Sequence, residues 1–85
     1  MPTSTPTNDA IGELLEAVDG TLIDRSRVVD ALLDLRLLAS GRPAVEAAID
    51  SLLGSVPGRT LVETSWYVDA LRGLADLDQA DLATN

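Results

Sequence analysis

The side chains that most often carry out catalysis are missing from this chain. It contains no histidine and no cysteine, and all six of its basic residues are arginine. General bases and activated nucleophiles are usually histidine, cysteine or lysine. Carboxylates could still exchange protons, but they need a concave, partly dry site, which a domain of 85 residues seldom offers. The sequence therefore predicts a protein that is not an enzyme, with no catalytic residue and no cofactor.

Carboxylates are the candidate metal ligands of this chain, and three pairs of them lie three or four residues apart, so that each pair shares a helix face. The pairs are Glu13/Glu16, Asp30/Asp34 and Glu46/Asp50. A di-metal bundle would also need histidine in Glu-x-x-His motifs. Residues 76–81 begin as D-x-D but lack the glycine and the distal glutamate of a calcium loop. We expect ordinary solvated faces and no metal site.

Two turns place an arginine beside the start of a predicted helix. These turns are Gly41-Arg42-Pro43 and Gly58-Arg59-Thr60. Backbone N–H groups at a helix N-terminus favour an anion, so either turn could hold a phosphate or a partner's carboxylate. The alternative is that both are simply solvated turns.

The most specific short motif is Asp50-Ser51-Leu52. It resembles the Asp-Ser-Leu motif of acyl and peptidyl carrier proteins, which are acidic four-helix domains of about this length. The resemblance implies that Ser51 would receive a phosphopantetheine arm. In that family the serine opens a long helix after an extended loop, whereas here residues 43–49 already have a helical pattern. The alternative is a serine on the exposed side of a helix.

The hydrophobic pattern predicts an all-α fold, a compact antiparallel bundle of about four short helices. Residues 1–8 are predicted to be a flexible tail, residues 9–78 the helical domain, and residues 79–85 a frayed C-terminus. The first helix is expected from Asp9 to Gly20 and the third from Pro43 to Gly54. We find no internal repeat that aligns convincingly.

The second helix, expected from about Asp24 or Ser26 to Ser40, is unusually apolar. Its apolar residues are Val28, Val29, Ala31, Leu32, Leu33, Leu35, Leu37, Leu38 and Ala39. They leave a polar arc only about 60° wide, at 100° per residue. Such a helix must be covered on more than one flank, so we predict either the centre of the fold or the seam of an oligomer.

The fourth helix is expected to start near Thr60, with Glu63 completing a capping box. Because residues 60–68 are rich in β-forming side chains, a strand there is the alternative. Trp66 is predicted to be the main core aromatic, since the chain has no phenylalanine. Tyr67 then points elsewhere and becomes a candidate for a contact surface.

Composition favours a soluble, cytoplasmic, bacterial interaction protein. Fourteen acids against six bases give a net charge of −8, which disfavours nucleic acid and anionic membranes as partners. A lone domain this small is usually only marginally stable, so a partner protein or a second copy is expected. We predict a small acidic helical interaction module, an adaptor, regulator or small subunit, that self-associates as a homo-oligomer or docks on a larger bacterial protein. The candidate interface residues are Val29, Leu33, Arg36, Leu37 and Tyr67.

Overall fold

A computed structural model describes residues 5–83. For residues 82 and 83 it describes the backbone only. The elements in chain order are α1 (Pro6–Glu16), β1 (Leu22–Asp24), α2 (Arg25–Leu38), α3 (Pro43–Ser55), β2 (Leu61–Glu63) and α4 (Thr64–Ala83). Four helices hold 73% of the described residues, which confirms the predicted all-α class. In the described part of the chain, no helix has the length and apolarity needed to cross a membrane.

Two three-residue strands, which the helix pattern does not predict, join the two halves of the molecule. β1 and β2 pair antiparallel, with Ile23 opposite Val62 at the centre of the ribbon. The first half is the helix–strand–helix unit α1–β1–α2, and the second half is α3–β2–α4. Neither interpretation of residues 60–68 is right for its full length, because residues 61–63 form a strand and α4 starts only at Thr64.

The sequence contains an internal repeat, and the pairing of β1 with β2 follows it, so the expectation of no repeat is wrong. Residues 21–38 and 60–77 are identical at nine of 18 positions, and residues 10–20 and 48–58 at six of 11. Arg59 is a single extra residue in the second unit. The ribbon obeys the same relation, because backbone bonds from Arg25 to Thr60 and from Thr64 to Thr21 are both 2.9 Å long. An approximate two-fold axis through the ribbon therefore relates the two units.

Equivalent positions of the two units build one shared core. The buried apolar residues of both units are Ile11, Val28, Ala31, Leu32, Leu35, Ala39, Val45, Ile49, Val56, Val62, Tyr67, Leu71 and Leu74. Among them Leu32 matches Leu71 in the repeat, and Leu35 matches Leu74. α1 packs on α2 and α4, and α3 packs on the same two helices. Burial of these side chains is the main driving force for folding.

The two aromatic residues have the reverse of their predicted positions. Tyr67 is only 3% exposed, whereas Trp66 is half-buried and packs on the edge of the core. The reason is the repeat: Tyr67 is equivalent to fully buried Val28, and Trp66 is equivalent to exposed Arg27. Tyr67 is therefore buried in this chain and does not have the exposure that a contact residue needs.

Both ends of the domain extend beyond the predicted limits. α1 starts at Pro6 and is capped by Thr5, whose Oγ1 accepts a bond from the backbone N–H of Asn8 at 3.0 Å. Residues 5–8 thus belong to the fold, and the remainder of the predicted tail, residues 1–4, lies outside the described part. α4 continues to Ala83, past the predicted fraying at residue 79. Residues 84 and 85 also lie outside the described part.

Candidate functional site

The turn between α2 and α3 delivers Arg42 to a buried carboxylate of its own chain. Asp78, with no exposed surface, accepts hydrogen bonds from Thr5 Oγ1 at 2.6 Å and Asn8 Nδ2 at 3.1 Å. Arg42 forms an ion pair with Asp78 and a second with Asp81, whose Oδ2 lies 2.8 Å from Nη2. This Asp78 cluster ties the start of α1 and the α2–α3 turn to the end of α4. The anion predicted for this turn is supplied by the protein itself.

The hydrogen bonds of the cluster change the acidity of Asp78. Burial alone would raise the pKa of its carboxyl group, but bonds from Thr5, Asn8 and Arg42 outweigh burial and hold that pKa below its ordinary value. The fold therefore stabilises the charged carboxylate of Asp78 more than the unfolded chain does.

This lowered pKa predicts acid sensitivity. Because the folded pKa of Asp78 lies below the unfolded pKa, the stabilisation is complete above about pH 4 and is lost as the pH falls through the folded pKa. We expect the free energy of unfolding in urea to fall in this range for the native chain. The fall should be smaller for Asp78→Asn and unchanged for Asp76→Asn, an exposed carboxylate on the same helix. An equal fall for Asp78→Asn and the native chain would contradict this assignment.

The other chemical candidates of the sequence do not assemble into a site. No three acidic side chains within residues 5–83 are grouped so that they could hold a metal ion. Asp50 forms an ion pair with Arg36, with 2.6 Å between Oδ1 and Nε. Ser51 is exposed as the ninth residue of α3, and its backbone carbonyl accepts a bond from Ser55 Oγ at 2.9 Å. A mid-helix serine is unlike the helix-opening serine of carrier proteins, so the geometry gives that interpretation no support.

A leucine surface on the outer side of α2 remains as the strongest candidate site. It consists of half-buried Val29 with Leu33 and Leu37, whose exposed fractions are 45% and 75%. Leu38 is 46% exposed but lies on the side of α2 that faces α1, where it lines a groove with Leu14. Four of the five predicted interface residues lie on α2. Val29, Leu33 and Leu37 belong to this surface, and Arg36 is exposed on the side of α2 that faces α3, where it pairs with Asp50. The fifth, Tyr67, lies in the core.

The internal repeat supplies a comparison for this surface. Leu33 and Leu37 correspond to Arg72 and Asp76 of α4, which are both exposed. The same outward positions are therefore polar in the second unit and apolar in the first. Since α4 folds with polar side chains at the equivalent positions, Leu33 and Leu37 are not required for packing the core.

A second apolar surface lies at the ribbon, and the sequence patterns did not predict it. Ile23 and Val62 point inward, so the alternate residues Leu22 and Leu61 point outward and are 51% and 44% exposed. They line an open groove of about 430 Å³. The groove is also lined by Pro57, Arg59, Val62, Glu63 and Trp66. We call this surface, with Leu22 and Leu61 at its centre, the loop end.

Comparison with protein-family models, with curated proteins and with solved structures finds no match for this chain. The features of the molecule that bear on its function are the two exposed apolar surfaces and the charges around them.

Proposed function

We propose that this protein is a small acidic helical interaction module that self-associates through its leucine surface. The observation that carries the proposal is the contrast between Leu33 and Leu37 on α2 and Arg72 and Asp76 at the equivalent places on α4. Large apolar side chains that contribute nothing to the core and remain exposed together are typical of protein-binding surfaces. The absence of histidine, cysteine and lysine also favours a binding role over a catalytic one.

The size of the surface bounds the strength of association. Covering the exposed parts of Leu33 and Leu37 contributes about 2 kcal/mol, taking roughly 2 kcal/mol for a fully buried leucine. Association costs about 4–15 kcal/mol of lost translational and rotational freedom. The leucine surface alone therefore supports weak association, and the apposed surface must add further contacts.

Exchanging residues between the repeats tests the proposal. Leu33→Arg together with Leu37→Asp installs the side chains of α4 on α2 without changing the net charge. Because α4 folds with these residues, we expect helicity and unfolding free energy to be retained while association is lost. Light scattering across a range of protein concentrations measures the association, and circular dichroism measures helicity.

A control on the other unit makes the test specific. Arg72→Asp with Asp76→Arg changes the equivalent exposed positions of α4 and should leave association unchanged. The proposal fails if Leu33→Arg/Leu37→Asp associates as strongly as the native chain. Loss of helicity in that variant would instead place the leucines among the residues that the fold requires.

A further inference from the structure

The charges around the leucine surface oppose a face-to-face pairing of two copies. Asp30 and Asp34 are exposed on α2 beside the leucines, while Arg36 is already paired with Asp50. Two leucine surfaces in contact would bring the unpaired carboxylates of both copies together. Each chain also carries a net charge of −8. Like charges placed opposite one another disfavour such a contact.

The loop end has a different charge balance from the rest of the chain. Residues 17–27 and 56–66 contain three acids and three arginines, so the whole net charge of −8 lies on the remaining residues. Arg59 lines the groove beside Leu22 and Leu61 and forms no salt bridge within residues 5–83. Arg25 is also free of salt bridges there, and its Nε donates to the backbone carbonyl of Pro57 at 3.0 Å.

We propose that the leucine surface of one copy docks on the loop end of the next copy, in a head-to-tail contact. This inference rests on the proposed self-association and identifies its second surface. Leu22 and Leu61 supply the additional apolar area, and the groove between them receives Leu37, the most exposed large apolar side chain in the described part of the chain. Arg59 then approaches carboxylates of the neighbouring copy instead of being left unpaired.

The repeat also fixes how many contacts each chain can make. α4 carries Arg72 and Asp76 where α2 carries Leu33 and Leu37, so each chain has one leucine surface and one loop end. A head-to-tail contact between unlike surfaces produces a ring if it closes and an open chain if it does not. Native assemblies are therefore expected to grow beyond two copies as concentration rises.

Complementation between two variants tests this arrangement. The leucine-surface variant is Leu33→Arg/Leu37→Asp, and the loop-end variant is Leu22→Thr/Leu61→Thr, which keeps residues that suit a strand. Each variant alone should have the mass of one chain, 8.9 kDa. An equimolar mixture should form a complex of twice that mass, because the first variant retains its loop end and the second its leucine surface.

The outcomes separate this inference from the proposed function. If the loop-end variant associates like the native chain while the leucine-surface variant does not, the leucine surfaces pair with each other and the head-to-tail contact is wrong. If the native chain is a single copy at every concentration, self-association itself is wrong. If both variants are single copies but their mixture forms no complex, the head-to-tail contact is also overturned.

A charge variant gives an independent measurement that leaves the ribbon intact. Arg59→Glu should weaken native association about tenfold, because it replaces the arginine of the groove by a second carboxylate beside Glu63, facing Asp30 and Asp34 of the neighbouring copy. Added salt should reduce that effect by screening exposed charges. Unchanged association of Arg59→Glu at low salt would overturn the contact even if the threonine variant failed to fold.

Discussion

Replacement of Asp78 by alanine is expected to lower the free energy of unfolding by about 3 kcal/mol, as for other buried ion pairs that lose one partner. The substitution removes the acceptor of two side-chain hydrogen bonds, from Thr5 and Asn8, and the ion pair with Arg42. Arg42 would keep its ion pair with Asp81 and its bond to the backbone carbonyl of residue 78. The start of α1, the α2–α3 turn and the end of α4 would lose their common anchor. Urea unfolding followed by circular dichroism near neutral pH measures the change.

Two matched variants identify the cause of that loss. Asp78→Asn keeps the size of the side chain but removes its charge, so we expect a smaller loss than for alanine. Asp76→Ala removes an exposed carboxylate two residues earlier and should change the unfolding free energy by less than about 0.5 kcal/mol. Equal losses for Asp78→Ala and Asp76→Ala would mean that the buried cluster contributes little to stability.

Leu35→Ala is the second substitution with a large expected effect, a loss of about 3 kcal/mol in unfolding free energy. Leu35 is fully buried, so truncation removes apolar contacts and leaves a cavity between the helices. Leu37→Ala, two residues further along α2 at a side chain that is 75% exposed, should change stability by less than about 0.5 kcal/mol. Thermal or urea unfolding of dilute protein separates this effect from any contribution of association.

The repeat offers a second test of the same packing. Leu74 occupies the equivalent place in α4 and is 2% exposed, so Leu74→Ala should cost about as much as Leu35→Ala. If Leu37→Ala proved as destabilising as Leu35→Ala, the outer leucines would have to belong to the folding core, and the leucine surface would lose its interpretation as a binding site.

The helices could be predicted because their signals are local. Apolar spacing and the proline at position 43 placed α3 within one residue of its observed end. The fourth helix was harder to place, because its first predicted turn is in fact β2. Three-residue strands have no period long enough to recognise, and they exist here only because β1 and β2 pair with each other. The predicted positions of Trp66 and Tyr67 were reversed because the helical spacing was counted from Val62, which lies in β2 and not in α4.

The Asp78 cluster could not be predicted from spacing. Thr5 and Asp78 lie 73 residues apart, and nothing in the local pattern around Asp78 distinguishes it from solvent-exposed Asp76. The place of residues 5–8 in the fold could not be predicted for the same reason, since they are held by contacts with α4 and not by apolar residues of their own.

The leucine surface was partly predictable and the loop end was not. The apolar breadth of α2 indicated residues beyond the needs of a core, and four of the five candidates lie on that helix. The repeat was available in the sequence as the pair TLIDRSRVVDAL and TLVETSWYVDAL, but helical periodicity alone does not compare distant segments. Aligning the two segments pairs Tyr67 with Val28, and extending the alignment to residues 38 and 77 identifies Leu33 and Leu37 as departures from Arg72 and Asp76.

Self-association through the leucine surface is tested most simply by the solution mass of the native chain beside that of Leu33→Arg/Leu37→Asp, measured by light scattering over a range of concentrations. We predict that the native mass rises above the 8.9 kDa of one chain as concentration increases, while the variant stays at one chain with its helicity unchanged. A native chain of single mass throughout, or a variant that assembles equally well, would contradict the assignment of the α2 leucines as an interaction surface.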